Sequence, residues 1–343
     1  MKIQSIHIDK YKVFEDFDID FRNEKGEIQN LIVLAGVNGC GKTTLLKDVI
    51  ADGALLTKNN EELGYIIYKS TRDHSPVQHP VVHFHNYLED KCVLYLKAGN
   101  QNGFNIEDTI RNYVDVFIYE KGKTSFDAYK EINRSIKNIF EDFDFKISFD
   151  GLTKDKELKF SNQNGDTFYL EGLSGGEFEI ISRLFSLYIA DIKDRVILID
   201  EPEESIHPSW QYRIAPLYQK FAEKNDCQII LATHSPQIIS SVKAEQIRLL
   251  KNYDGKIQVV SDFDRSLGWT VDRILLEIQG VGNRPPEIEK EFDELSEMIH
   301  KNKYDTDDFH NKFNKLETLL GYADNDLVLM RLEIARKRKN NSK

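Results

Sequence analysis

Cysteine is nearly missing from this chain of 343 residues. Cys40, Cys92 and Cys227 stand far apart, and no CxxC pair occurs. That spacing excludes a disulfide framework and a cysteine zinc site, and it fits a reducing compartment. Long apolar runs are lacking too. The longest one near a motif, Leu31 to Val37, falls far short of the roughly 20 residues that span a bilayer. The opening residues, MKIQSIHIDKYK, have no signal-peptide core, so a soluble cytoplasmic protein without a membrane partner is expected. Positive charge is in the minority: 46 Lys and Arg against 57 Asp and Glu leave a net charge of −11. Such a surface does not coat nucleic acid indiscriminately, although a local basic groove stays open as an option. The one basic cluster, Arg336-Lys337-Arg338-Lys339, reads as a solvated helix end, with a nucleic-acid or partner contact as the alternative. No sustained heptad repeat predicts coiled-coil arms, and no Ser-His-Asp or Cys-His arrangement has supporting context.

What is present is an ordinary globular balance, 40% hydrophobic and 30% charged, in a chain longer than one core needs. Ile3, Ile6 and Ile8, then Val13, Phe17, Ile19 and Phe21, alternate with polar residues and predict paired strands. Leu31–Ala35 is continuously apolar, as a strand buried on both faces would be. From about residue 58 the pattern changes to short strand-like pieces (Tyr65–Tyr68, Val81–Leu88, Cys92–Leu96) and two helical faces. Those faces are Ile110, Val114, Phe117 and Ile118, then Ile132, Ile136, Ile139 and Phe140, the second capped by Thr124 or Ser125. Short strands follow around Phe145–Phe149 and Phe168–Leu170. Buried strands at Val196–Ile199 and Gln228–Ala232 alternate with helices, which predicts a parallel, doubly covered sheet. Ile288, Phe292, Leu295 and Ile299, then Phe309, Phe313, Leu316 and Leu320, repeat at helical spacing, and Gly321 reads as a helix stop. The expected division is a core at 1–57 and 170–262, an inserted mixed subdomain at 58–169 and a helical subdomain at 263–343.

Four motifs carry chemistry. Gly36-Val37-Asn38-Gly39-Cys40-Gly41-Lys42-Thr43-Thr44 fits G-x-x-x-x-G-K-[ST] between a buried strand and a helix. Its glycines let backbone N–H groups curl around phosphates, Lys42 can reach the terminal phosphates, and the Thr43 hydroxyl can ligate Mg²⁺. Cys40 reads as a bystander in that loop, with a redox switch as the outside alternative. Val196–Ile199 runs into Asp200-Glu201-Pro202-Glu203, where one acid can hold a metal and the next can act as general base. His234, in Leu231-Ala232-Thr233-His234-Ser235-Pro236, can donate to a phosphate or to the attacking water. Finally Leu173-Ser174-Gly175-Gly176-Glu177 opens a helix, where N–H groups and the positive dipole end suit a phosphate.

Together, in this order, the set resembles the ABC-class ATPases: Walker A at 36–43, signature at 173–177, Walker B at 196–201, switch histidine at 234. The resemblance implies a P-loop ABC ATPase head of the α/β class. Its central sheet would be mostly parallel, with antiparallel N-terminal strands, a mixed α/β insertion and a C-terminal helical subdomain. It implies ATP and Mg²⁺ as ligands and hydrolysis to ADP and phosphate. Thr43 and Asp200 would manage Mg²⁺, Lys42 and His234 the γ-phosphate, and Glu201 the water. It further implies a homodimer that sandwiches ATP, in which Ser174 and Gly176, with Gly175, meet the γ-phosphate held by the other subunit's Lys42. After Asp200 the chain departs from the transporter pattern "DEPTSALD". The form Asp200-Glu201-Pro202-Glu203, then His207-Pro208-Ser209-Trp210, is similar to soluble RecF-like, SMC-like and OLD-type ATPases. Such ATPases recur in anti-phage systems of Septu and PARIS type. The resemblance therefore implies the ATPase subunit of a defence system that controls a separate nuclease or toxin. A DNA-gripping repair ATPase, an importer subunit and a self-contained nuclease are the alternatives.

Weaker features point elsewhere. Gln78 is a candidate Q-loop residue, and Tyr11 and Phe14 are candidate adenine contacts, although strand packing suits both better. His79, His83 and His85 invite a metal reading but have no Cys or Asp beside them, so a polar strand face is preferred. Asp262-Phe263-Asp264 resembles the DxD of OLD-type nucleases but reads better as a surface turn.

Overall fold

The structure, a computed structural model, describes residues 2–51, 106–141, 143, 147–190, 192–263, 265–282 and 284–341. Between the first two of these stretches it also describes three strands, at 65–67, 81–85 and 93–97. The chain forms two compact units, Met1–Ile274 and Leu275–Lys343.

The first unit is organised by a six-stranded sheet in the order β13-β12-β3-β11-β10-β6. The strands are β3 (Leu31–Ala35), β6 (Val93–Lys97), β10 (Val196–Asp200), β11 (Gln228–Thr233), β12 (Ile247–Tyr253) and β13 (Lys256–Val260). All pair in parallel except β13, which runs antiparallel to β12. Every residue of β3, β10 and β11 is buried, as the unbroken apolar runs predict. Alternate positions face opposite sides. Ile32, Leu34, Val196, Leu198, Ile230 and Ala232 pack in one core with Leu45, Leu46, Val49 and Ile50 of helix α1 (Thr44–Ala51). The helix Pro208–Asn225 packs on β11 and β3.

β6 falls within the stretch expected as an insertion, yet it is hydrogen-bonded to β10 as the edge of the main sheet. β12 went unread in the sequence because the buried Arg248 interrupts its apolar run. The guanidinium is satisfied by the carbonyls of Arg22, Glu245 and Ile247 at 2.7–2.9 Å and by that of Asp20.

The N-terminal strands β1 (Lys2–Tyr11) and β2 (Phe14–Asp20) pair antiparallel, as their alternation predicts. They extend through β5 (Val81–His85) to β4 (Tyr65–Ile67) in a second sheet. Ile3, Ile6, Ile8, Phe14 and Phe17 enter the same core as α1. One fully buried side chain joins the two sheets. Gln228 of β11 accepts from the Ile3 N–H at 2.6 Å and donates to the Ile3 carbonyl at 2.9 Å.

Helices α2 (Ile106–Tyr119) and α3 (Ser125–Ile139) pack beside a third sheet of β7 (Ile147–Leu152), β8 (Leu158–Asn162) and β9 (Thr167–Tyr169). Thr124 caps α3 through a reciprocal box with Asp127, and Ile132, Ile136 and Ile139 are buried on the predicted face. α2 packs against the helical segment that begins at Gly175. That segment, α4, is α-helical over Gly175–Ile180 and Ser186–Ile189, with π-type turns at Ile181–Phe185 between them.

In the second unit the helices Pro286–His300, Asp307–Leu320 and Asn325–Asn341 pack around Leu295, Ile299, Phe309, Phe313, Leu316 and Leu327. Gly321 ends the middle one with φ of 91°, in the predicted place. Of the basic cluster, Lys337 donates to the Ile299 carbonyl at 2.6 Å and Arg338 pairs with Asp305. Two of its four charges are thus engaged within the helical unit.

Candidate functional site

The carboxyl ends of three adjacent parallel strands, β3, β11 and β10, carry the sequence motifs. Ligands of open α/β sheets bind at such ends, because the loops there project beyond the buried strands.

From β3 the chain turns at Gly36 into the phosphate-type loop. A Cβ on Gly36 would lie 2.6 Å from Cys40 Sγ and 2.7 Å from the Leu250 carbonyl oxygen. One on Gly41, at φ +91°, would lie 2.7 Å from Phe14 Cζ. These two glycines are needed for close approach and for left-handed backbone. Leu45 N–H bonds the Gly41 carbonyl at 2.8 Å and starts α1. The first N–H groups of a helix have no partner inside it, so the loop offers backbone donors to an anion.

Lys42 is buried, and its ammonium donates to the Gly36 carbonyl at 2.7 Å and the Val37 carbonyl at 3.1 Å. It is thus folded back over its own loop. Cys40 is buried with its sulfur 3.9 Å from that ammonium. Burial pushes its thiol up, only partly offset by Lys42. The thiol stays protonated near neutrality, which fits a packing residue and gives a redox switch no thiolate to work with.

Asp200 ends β10 fully buried. Its Oδ2 accepts from the Thr43 hydroxyl at 2.9 Å and from the Tyr95 hydroxyl at 3.1 Å. Burial, then the Asp200 charge, pushes the Tyr95 phenol well up, so it remains a donor. Among the described residues no three or more His, Cys, Asp or Glu gather as a metal cluster. A hydroxyl and a carboxylate 2.9 Å apart are nevertheless the hard-oxygen pair that Mg²⁺ accepts when phosphates and water complete its shell. The donor set therefore fits the expected ion.

Glu201 follows with φ of 50°, an uncommon left-handed value for a residue with a side chain. Its N–H bonds the Ala232 carbonyl at 2.9 Å, and its own carbonyl accepts from Arg183 of α4 at 3.2 Å. Arg183 is only 7% exposed and pairs with Glu179 at 2.8 Å. Burial pushes the Glu179 carboxyl up, Arg183 opposes that, and Glu204 adds to it.

Beyond Glu201 the chain turns back, so that buried Glu203 reaches the end of β11. Its Oε1 accepts from the Thr233 hydroxyl at 2.7 Å, the His234 N–H at 2.9 Å and the Ser235 N–H at 3.2 Å. The His234 ring, half exposed, has Nδ1 3.3 Å from the same oxygen.

Ser174 caps α4. Its hydroxyl donates to Glu177 Oε2 at 2.7 Å and accepts from the Glu177 N–H at 3.3 Å. Gly176 lies against the Walker B turn, where a Cβ would stand 3.2 Å from the Ser205 carbonyl oxygen.

The loop Gly36–Thr44, Asp200, Glu201 and His234 thus converge, while Ser174 bonds Glu177 rather than the Lys42 loop. Tyr95, Glu203 and Arg183 were not singled out from sequence. Tyr95 looked like an ordinary strand tyrosine, and Glu203 sat unremarked inside the DEPE run. Phe14 is buried and packs on Phe17 with ring centroids 4.6 Å apart, the packing role preferred for it. Asp262 is exposed. Gln78, His79, Cys92 and Asp264 lie outside the described residues, as do the side chains of His83 and His85. Among the described residues, no helix is long and apolar enough to cross a membrane.

Residues 75–240 match the family described as "AAA domain, putative AbiEii toxin, Type IV TA system". A retron Ec83 probable ATPase of Escherichia coli is 27% identical over 73% of this chain and 48% of its own length. A Septu protein PtuA of Bacillus thuringiensis is 23% identical over 85% of this chain and 91% of its own. A Septu protein PtuA of Bacillus mycoides is also 23% identical, and its match covers 46% of its length. The chain thus spans about half the length of two of these three relatives. An SMC head domain solved with the C-terminal domain of ScpA, from Pyrococcus furiosus, is 16% identical with a TM-score of 0.47. It covers 76% of this chain and 96% of that one, a likeness too slight to add to the fold described from its own strands. Residues 75–240 thus match an AAA domain of the AbiEii type, and the chain is similar to a retron probable ATPase and to Septu PtuA proteins.

Proposed function

We propose that the protein binds and hydrolyses ATP as a nucleotide-switched homodimer. The observation that carries this reading is the meeting of the Lys42 loop, the Thr43–Asp200 pair, Glu201 and His234 at three neighbouring strand ends. Backbone donors of Gly36, Asn38, Gly39, Cys40, Gly41 and Thr44 cradle the phosphates. Lys42 leaves the carbonyls of Gly36 and Val37 for the β- and γ-phosphates. Thr43 and Asp200 would hold Mg²⁺, which would offset phosphate charge. Glu201 takes a proton from the water that attacks the γ-phosphorus, and the bond to the ADP oxygen breaks. His234 donates to the γ-phosphate. In the dimer, Ser174, Gly175 and Gly176 complete the partner's site. A core of 1–57, 170–262 and the β6 strand then does the chemistry, while the rest of 58–169 and the helical subdomain from 263 transmit it.

Glu201→Gln should bind ATP without turning it over, and should run as a dimer in size-exclusion chromatography with ATP and as a monomer without it. A Glu201→Gln protein that stays monomeric at saturating ATP would sink the switch.

We propose further that this is the cytoplasmic sensor ATPase of an anti-phage system, restraining a separate nuclease or toxin. The Septu and retron relatives support that role. A neighbouring reading frame for an effector, co-purification of that effector and loss of phage protection in Glu201→Gln are the expected results. ATP-stimulated, salt-sensitive DNA binding without any effector would replace this reading with the DNA-repair one.

A further inference from the structure

Glu203 lies outside the motif roles above, yet it is one of the most heavily engaged acids of the chain. It is 7% exposed, and its Oε1 collects one hydroxyl and two backbone N–H groups from three consecutive residues, Thr233, His234 and Ser235. The Thr233 hydroxyl also accepts from the Ser235 N–H at 2.9 Å, closing the turn on itself. Ser235 continues the anchorage: its hydroxyl donates to Gln211 Oε1 at 2.7 Å and it caps the helix Pro236–Ser240. Two successive N–H groups of the turn share one acceptor from outside β11. A carboxylate is the strongest acceptor available for such a cluster.

Resting on the γ-phosphate role given to His234, we propose that Glu203 is the positioning residue for that histidine. Glu203 sits two residues beyond Glu201, on the turn from β10, and His234 sits one residue beyond β11. One carboxylate therefore locks the histidine-bearing turn to the segment that carries the general base. The two groups that must act on one γ-phosphate and one water are held in a fixed relation before ATP arrives. In this role Glu203 acts through the turn and not on the phosphate. It sets where the His234 backbone stands, and its oxygen 3.3 Å from Nδ1 draws that face of the ring inward.

A double-mutant cycle on the full chain separates this from a purely structural role. Glu203→Asp keeps the charge but shortens the arm by one methylene, so Oε1 no longer reaches all three donors. It should lower kcat by about 10- to 100-fold with KM for ATP changed by less than about threefold, the signature of misplacement rather than lost binding. In the His234→Ala background the same change should cost less than about twofold, because the residue it positions is gone. Hydrogen exchange at the His234 and Ser235 amides should speed up in Glu203→Asp but not in His234→Ala. If Glu203→Asp does not fold, Glu203→Gln takes its place. It keeps the length and one acceptor oxygen, and should show a smaller kcat loss that again vanishes without His234. An equal kcat loss in both backgrounds, or unchanged exchange at the two amides, would overturn the proposal. If His234→Ala itself leaves kcat unchanged, the phosphate role of His234 falls, and the exchange data alone then judge whether Glu203 holds the turn.

Discussion

Replacing Arg183 by methionine should destabilise the first unit, and by an amount that depends on pH. Arg183 is 7% exposed, its Glu179 partner's side chain is 12% exposed, and the two meet at 2.8 Å. Methionine fills most of the volume but leaves Glu179 as a buried, uncompensated charge. Breaking such a pair costs about 3–5 kcal/mol. The lost bond from Arg183 to the Glu201 carbonyl is contained in that figure. Glu179 can escape the penalty by taking a proton. Its carboxyl is already pushed up by burial, and Arg183 is what restrains it, so removing Arg183 raises it further. A carboxyl raised in the folded state holds its proton to higher pH than in the unfolded chain. Stability is then greatest below the unfolded value and is lost as pH rises through the folded one. The variant should therefore lose more at pH 8 than at pH 5: about 3–5 kcal/mol where Glu179 is charged, falling toward the about 1–2 kcal/mol of lost hydrogen bonds as it takes up a proton. Urea unfolding of both proteins at the two pH values measures this directly. Adding Glu179→Leu to the variant should recover most of the loss at the higher pH. An equal loss at both values, or a loss under about 1 kcal/mol at the higher one, would refute the reasoning, since an exposed pair is worth no more than that.

Two other substitutions test links that join distant parts of the chain. Gln228→Ala removes the amide that serves both the N–H and the carbonyl of Ile3 and leaves those backbone groups of β1 unmatched. A loss of about 2–5 kcal/mol in urea unfolding is expected, and a loss below about 1 kcal/mol would mean that water replaces the amide. Tyr95→Phe removes a donor to Asp200 Oδ2 while keeping the ring. The Mg²⁺ concentration for half-maximal hydrolysis should rise by about 10-fold or more, as partners behind a metal ligand usually matter that much. An unchanged Mg²⁺ curve would show that Tyr95 does not orient Asp200.

How much was legible follows from where the information sits. The glycines of the Lys42 loop, the apolar strands ending in Asp200 and Thr233, and the helix start at Ser174–Glu177 are local: each depends on residues a few positions apart. Their residue types suffice because backbone conformation and burial on both faces are written in short windows. Helix α3 was legible for the same reason, from its cap and its isoleucine face. β12 was not, because a buried arginine satisfied by four backbone carbonyls looks, in sequence, like the end of an apolar run. The last helix, Asn325–Asn341, was not separated from its neighbours, since it buries Leu327, Met330 and Ile334 while leaving Leu329 and Leu332 exposed.

By itself the sequence determined the kind of site: a phosphate loop, an acid pair at a strand end, a histidine at the next, and a serine–glycine helix start. These are properties of short segments, which need only the right φ, a missing Cβ or a run of apolar side chains. Tertiary structure alone decided which partners hold those groups. Tyr95 reaches Asp200 because β6 pairs with β10, Arg183 reaches Glu201 because α4 lies beneath the turn, and Glu203 reaches Thr233–Ser235 because β10 and β11 are neighbours. The residues of each pair stand from 18 to 105 positions apart. Contacts at such separation depend on strand order and register, which no local window encodes.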